Sequence, residues 1–394
     1  VTVKRPVLAL AVLAGLLGGC LGVQRNAPKP GLTHIGPKAV TIPGHVIGNV
    51  IVVEDRWDKF GPYHFVIDTG SSVTLVSPEL AQRYGASGIP PTDEPRVRVR
   101  SSQGGTALLA AVTLERFRLG DAHFDYVPAL VYDCADLSTQ FGVRIDGILG
   151  FPLFRNAVLT LDYPNERIIL RARIPDDGLP GEAILFDNAD KIPLIPVRLG
   201  DHPVDVLIDS GSGSALGLNP AGLSPGFVFG PVDGPLEATL SGDKPSRIGR
   251  LSDVLRIGSF DVPQPVAELT DDLSSIGGGI LSHFTITFDQ RDNEVFFQRD
   301  DAAPILVSPL KGTGLSFRKA PAYWKVAAVV PTSPAAAAGA SQGDLVTRIN
   351  GEPVSAWDPV RYGDLVASAA SIEYTFIEGT SETRKVIDVA VLVP

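Results

Sequence analysis

Two acids in this chain stand where a carboxylate is costly to bury and easy to use. The stretch HFVIDTGSSVTLV at residues 64–76 ends an apolar run on Asp68 and follows it with Thr69, Gly70, Ser71 and Ser72. Asp followed by small polar residues and Gly is common turn chemistry, because its oxygens accept hydrogen bonds from the next amides. It is equally a way to aim an acid out of a strand for proton transfer. The stretch VLIDSGSGSAL at residues 206–216 repeats the arrangement: Asp209, Ser210, Gly211 and Ser212 follow Asp68, Thr69, Gly70 and Ser71 at a separation of 141 residues.

The segments that must position these acids repeat as well. After Asp68 come RFRLGDAHFDYVPALV (116–131) and DGILGFPLFRNAVLTLDYPNERIIL (146–170); after Asp209 come VLRIGSFDVPQPVAEL (254–269) and GGILSHFTITFDQRDNEVFF (278–297). Gly120 lies 52 residues beyond the first acid and Gly258 lies 49 beyond the second, so the halves keep nearly one register. Duplication of a whole lobe produces such a pattern and a chance motif does not. The 41 Gly and 33 Pro suit short strands and turns, and 44% hydrophobic with 20% charged residues is a soluble globular composition of two or three domains. The fold expected is mainly β.

The two Asp-Thr/Ser-Gly-Ser turns, with ILGF at Ile148 and ILSHF at Ile280 downstream, resemble the aspartic proteases, in particular the retropepsin-like and pepsin-like enzymes, over roughly residues 40–300. The resemblance implies a bilobal fold, with lobes at 40–175 and 176–300 and the active site between them, in which Asp68 and Asp209 are the catalytic acids of an endopeptidase. Two such carboxylates cannot both ionise cheaply and share one proton; the ionised one draws a proton from water while the protonated one polarises the peptide carbonyl. The resemblance also implies that Thr69 and Ser210 hydrogen-bond across the lobes and that Ser71 and Ser212 bond the outer carboxylate oxygens. Gly70 and Gly211 are expected to let the backbone turn tightly. A closing flap is expected at RSSQGGT (100–106), with Ser102, Gln103, Gly104 and Gly105 at its tip; it lacks the Tyr of pepsin-like flaps, which favours the retropepsin-like branch. The second lobe reads GGILS for DGILG, and its 281–289 segment is shorter than 149–162, as if trimmed; His283 within it is expected to be a packing or surface residue. The alternative is a duplicated lobe that has kept its shape without its chemistry, a non-catalytic peptide-binding or sensor protein.

The two ends read differently. Residues 308–394, with GLSF at 314–317, then Ser-Pro-Ala, Gly-Asp and Asn-Gly in order, resemble a PDZ domain. That implies capture of peptide C-termini by Gly314, Leu315, Ser316 and Phe317, beside a helix from about residue 358 to 370 bearing Tyr362 and Leu365. At the other end Lys4 and Arg5 precede an apolar run at 7–17 and then LGGC, the order of a signal peptide, and LGGC resembles the lipoprotein box with Cys20 lipidated. The expected location is the bacterial envelope, at the outer membrane facing the periplasm, with residues 20–39 as a tether. Cys134 has no second cysteine to pair with once Cys20 is lipidated, and is expected as a small packing residue. A net charge of −10 without a basic cluster argues against nucleic acid, and no metal or organic cofactor motif is present.

Overall fold

The computed structural model describes residues 32–56, 58–85, 96–100, 106–174, 178–239, 242–379 and 381–394. Cys20, the segment before it and the expected flap tip at 102–105 lie outside the described residues. The strands flanking that tip, Arg96–Arg100 and Thr106–Leu119, pair antiparallel with Arg100 opposite Thr106.

The described chain is mainly β. In the first lobe the strand Val40–Ile47 buries Val40, Ile42 and Gly44 and exposes Thr41, Pro43 and His45, the period of two of a half-covered strand. It turns into Val50–Asp55, which pairs with Tyr63–Asp68. The strand Gly147–Gly150 then lies parallel to Tyr63–Asp68 and antiparallel to Thr74–Val76, so it fills the gap between the strand that enters the Asp turn and the one that leaves it. Strands Ala122–Val131 and Thr106–Leu119 continue the sheet outward.

The second lobe repeats this order. His202–Ile208 enters the turn, Leu216–Leu218 leaves it, and Ser275–Ile276 sits between them, parallel to the first and antiparallel to the second. Val266–Leu269, Gly242–Leu251 and Phe227–Thr239 follow outward. The register corrects one expectation. Gly150 stands opposite Asp68, and Ile276, just before Gly277, stands opposite Ile208, just before Asp209. The counterpart of Ile148-Leu149-Gly150 is therefore Ser275-Ile276-Gly277, and Ile280 belongs to the following helix, Gly278–Leu281. From Gly150 to Asp162 and from Gly277 to Asp289 the interval is the same, so this stretch of the second lobe is not trimmed.

A third sheet layer joins the halves. Val158–Asp162 of the first half pairs antiparallel with Thr285–Asp289 of the second, and Arg167–Arg171 and Glu294–Gln298 flank them. Across this seam Phe151 meets Phe288 edge to face at 5.3 Å, and Thr160 and Thr287 share a hydrogen bond of 2.9 Å. The Gln290 amide donates to Phe151 C=O at 2.7 Å. One continuous apolar core runs through both lobes. The expected tether also changes character: Thr33–His34 pairs with His123 and Phe124, and the Asp125 amide donates to Leu32 C=O at 3.1 Å, so from Leu32 the chain is laid on the first lobe. The strand Ala122–Val131 offers backbone groups there that pairing satisfies.

The C-terminal unit is a sheet of Leu315–Lys319, Trp324–Val329, Leu345–Ile349, Ser371–Glu378 and Ser381–Asp388, with its own core around Trp324, Tyr374 and Phe376. Its helix Pro359–Ser368 starts at Asp358, whose carboxylate accepts from the Arg361 amide at 2.8 Å. This unit touches both lobes. The first-lobe helix Ala135–Phe141 ends at Gly142, where a Cβ would lie 2.5 Å from Pro359 Cδ. On the other side Ile248, Val266 and Val393 form an apolar cluster with Val232, Val307 and Leu310. The Arg250 guanidinium donates there to the carbonyls of Gln264, Val307 and Pro394.

Candidate active site

Asp68 ends the strand Tyr63–Asp68 and Asp209 follows the strand His202–Ile208, and the residues just before each acid, 65–67 and 206–208, are buried on both faces. The turn residues after them meet at the lobe interface. The Thr69 hydroxyl donates to Ile208 C=O at 2.6 Å and accepts from the Ser210 amide at 3.1 Å. Reciprocally, the Ser210 hydroxyl donates to Ile67 C=O at 2.8 Å and accepts from the Thr69 amide at 2.9 Å. Both side chains are fully buried, so these four bonds satisfy backbone groups that water does not reach. They also set the distance between the acids.

The carboxyl groups lie within hydrogen-bonding reach of each other. Burial raises both above the ordinary carboxylate range, and for Asp68, raised furthest, the negative charge of Asp209 adds to the effect. Backbone amides oppose the shift: those of Gly70 and Ser71 at Asp68, and those of Gly211 and Ser212 at Asp209. The pair therefore holds one proton over a range in which isolated acids would hold none, and the two titration steps belong to the pair.

Gly70 and Gly211 serve a different purpose from the one expected. Neither has a positive φ. A Cβ at Gly70 would lie 2.6 Å from Asp209 Cγ, and one at Gly211 would lie 2.4 Å from Asp68 Cγ. Each glycine makes room for the carboxylate of the opposite lobe.

Ser71 and Ser212 also differ from expectation. The Ser71 hydroxyl donates to Val73 C=O at 2.8 Å, and the Ser212 hydroxyl shares a bond of 2.9 Å with that of Ser214. A hydroxyl has one proton, and here it closes the turn; the amides of these serines, not their side chains, support the acids. His283 is half-buried beside Arg299; burial, and then the Arg299 charge, lower its pKa. Cys134 is buried, with its thiol pushed up to about 12 by burial first, and precedes the helix Ala135–Phe141 as packing. Among the described residues no group of three or more His, Cys, Asp or Glu side chains is gathered as metal ligands.

The structure adds residues that the sequence did not single out. Tyr163 is buried, and its phenol is raised by burial and then by the charges of Asp209 and Asp68, so it lies within electrostatic range of the pair. It follows Asp162 as Gln290 follows Asp289, and that parallel was the available signal. Asn49 reaches the Asp209 turn from the first lobe.

In the C-terminal unit, Gly314 has φ +92° and leads into the strand Leu315–Lys319, which is an edge of its sheet beside the helix Pro359–Ser368. Phe317 packs on Trp324, Tyr362 and Tyr374, and the Tyr362 hydroxyl bonds that of Tyr374 at 2.7 Å. Tyr362 is thus part of the packed floor, and Leu365 remains half-buried on the same helix. Lys319 lies 4.5 Å from the centre of the Trp324 ring, and burial pushes its ammonium down to about 8.

Comparison with known proteins matches two parts of the chain. A family model described as aspartyl protease matches residues 56–153, and one described as PDZ domain matches residues 325–372. The chain therefore carries an aspartyl protease domain, which includes the first Asp turn, and a C-terminal PDZ domain. No curated protein matches the chain in sequence.

Proposed function

We propose that the protein is an aspartic endopeptidase in which Asp68 and Asp209 activate a water between them. The observation that carries this reading is the reciprocal bonding of Thr69 and Ser210, which brings two acids 141 residues apart into one proton-sharing pair. A peptide laid along the cleft presents its carbonyl to the protonated carboxyl while the ionised one removes a proton from the water, so attack and polarisation occur together. Collapse of the tetrahedral intermediate returns the proton to the leaving amine, and the pair regains its starting state.

Peptide binding at the PDZ domain is supported by the position of Leu315–Lys319 at the end of its sheet, where a peptide can add as a strand. We propose that it selects substrates by their C-termini. The connection to the lobes is fixed rather than loose: Ile305 is buried and its amide donates to Asp261 C=O at 3.4 Å. One wall of the groove, the helix Pro359–Ser368, abuts the first lobe, while the sheet side abuts the second, so a bound tail also bears on access to the cleft. For location, lipidation of Cys20 and residence at the outer membrane facing the periplasm remain part of the proposal, supported by the LGGC stretch alone.

The test is turnover of casein from acidic to neutral pH, with pepstatin as inhibitor. Activity lost in both Asp68→Asn and Asp209→Asn, each folded, is expected. Wild-type rates in either would overturn the assignment, and pepstatin binding without turnover would favour the peptide-binding alternative. Equal kcat/KM for a substrate with a free apolar C-terminus and its amidated form would exclude selection by the PDZ domain. Cys20→Ser is expected to release the protein from membranes, and an unmodified soluble N-terminus in the wild type would refute anchoring.

A further inference from the structure

The two Asp turns are alike in sequence but unequally supported. The first-lobe hairpin between Val40–Ile47 and Val50–Asp55 turns at Gly48 and Asn49, with φ of +57° and +69°. Its tip crosses to the second lobe, where Asn49 Nδ2 donates to Gly213 C=O at 3.0 Å. A Cβ at Gly213 would stand 2.2 Å from Gly48 O, and one at Gly278 would stand 1.9 Å from Asn49 O. Both carbonyls therefore rest directly on glycine Cα atoms, an approach open to no other residue.

These two glycines bracket the Asp209 turn. Gly213 lies within it, and the Gly278 amide donates to Ser212 C=O at 2.7 Å while Ser212 in turn donates its amide to Asp209 C=O. The first lobe has Ser72 and Phe151 at the corresponding places. The second lobe sends a different contact back. Its equivalent turn is Asn188–Lys191, between Glu182–Leu185 and Leu194–Leu199, and Phe186 at the base of that hairpin meets Phe151 edge to face at 5.8 Å. The departures of the second motif from the first, Gly213 for Ser72 and Gly278 for Phe151, thus have one common cause.

We propose that Asn49 is a positioning residue for the catalytic pair: by holding the Gly213 carbonyl it fixes the Asp209 turn against the first lobe and so sets how closely Asp209 faces Asp68. This rests on the function proposed above. Among the described residues, the titratable groups that sense the pair are each other and Tyr163, and none of these is on the hairpin tip. A looser turn separates the two carboxylates, weakens their mutual repulsion and lets the upper titration step fall.

The variant is Asn49→Gly in the full chain, because glycine keeps the positive φ and adds no charge. Asp201→Gly, in the exposed second-lobe turn between Leu194–Leu199 and His202–Ile208, is the control. Two readouts are taken: kcat and KM across pH, and the carboxyl titration of the pair by 13C NMR with aspartate labelling, its upper step identified by loss in Asp68→Asn. For Asn49→Gly we expect kcat lower by about tenfold, short of the ~100-fold that a full 1 Å misplacement costs, with KM little changed. The upper step and the alkaline limb should move down by about half a unit, and Asp201→Gly should match the wild type. Unchanged kcat and unchanged titration in Asn49→Gly, in an active protein, would overturn the positioning role and leave the protease reading intact. A wild type that hydrolyses nothing, yet whose upper step falls in Asn49→Gly, would overturn the protease reading and leave the positioning role standing.

Discussion

Replacing Gly70 by Ala tests the geometry of the pair more sharply than removing an acid does. A Cβ there would lie 2.6 Å from both Cγ and Oδ1 of Asp209, whereas ordinary contact begins at 3.4 Å. The Asp209 carboxylate must therefore retreat by about 0.8 Å, since the glycine backbone is tied through its turn to the Thr69 and Ser210 bonds. It cannot rotate away freely either, because the Gly211 amide donates to its Oδ1 at 3.0 Å. A displacement near 1 Å at reacting groups costs about 100-fold in rate, or about 2.7 kcal/mol in the barrier. We expect Gly70→Ala to fold, to lose about two orders of magnitude in kcat on a fluorogenic peptide, and to change KM much less. Gly363→Ala, where a Cβ meets nothing within 4 Å on an exposed helix, is the control. Activity of Gly70→Ala within about threefold of wild type, with an unchanged melting temperature, would show that the acids need no such close approach and would refute the reasoning.

Other outcomes follow from the same contacts. Burial raises both acids, so the folded state binds more protons than the unfolded one above the ordinary carboxylate range, and stability falls as pH rises through the upper step of the pair. Asp209→Asn should therefore melt higher than wild type near pH 7, with the gap closing below about pH 4, where both acids are protonated in either state; a gap independent of pH would contradict it. Thr69→Val strands the Ile208 carbonyl and the Ser210 amide, at about 1–3 kcal/mol each, while Thr69→Ser should restore most of the loss; denaturant titration distinguishes them, and equal stability of the two variants would count against the cross-lobe bonds. Gly314→Ala combines φ +92° with a Cβ 2.0 Å from Ser333 Oγ, so it should distort the PDZ loop and abolish binding of a C-terminal peptide in calorimetry. Wild-type affinity there would refute the placement of that loop.

The catalytic candidates were legible in sequence because duplication leaves a signal that does not depend on folding: two Asp turns and two sets of downstream segments at nearly constant spacing. The PDZ strands and helix were legible because turn residues such as Asn350-Gly351 act locally and keep the order that resembles the PDZ family. Matching Ile280 to Ile148 failed because similarity of letters outweighed register. Counting back from Asp162 and Asp289 would have reached Gly150 and Gly277, but only the strand ladders show that these glycines hold equivalent places. The roles of Gly70, Gly211, Gly213 and Gly278 were beyond reach for a physical reason. Each is a glycine because of an atom that belongs to the other lobe, at sequence separations where the chain's local chemistry says nothing about what arrives. The same holds for the serines. Local preference makes Ser71 and Ser212 turn residues in any fold, while tertiary structure decides that their amides, and not their hydroxyls, meet the acids. Sequence determined which residues are available for chemistry, and packing between the lobes decided which of their atoms take part.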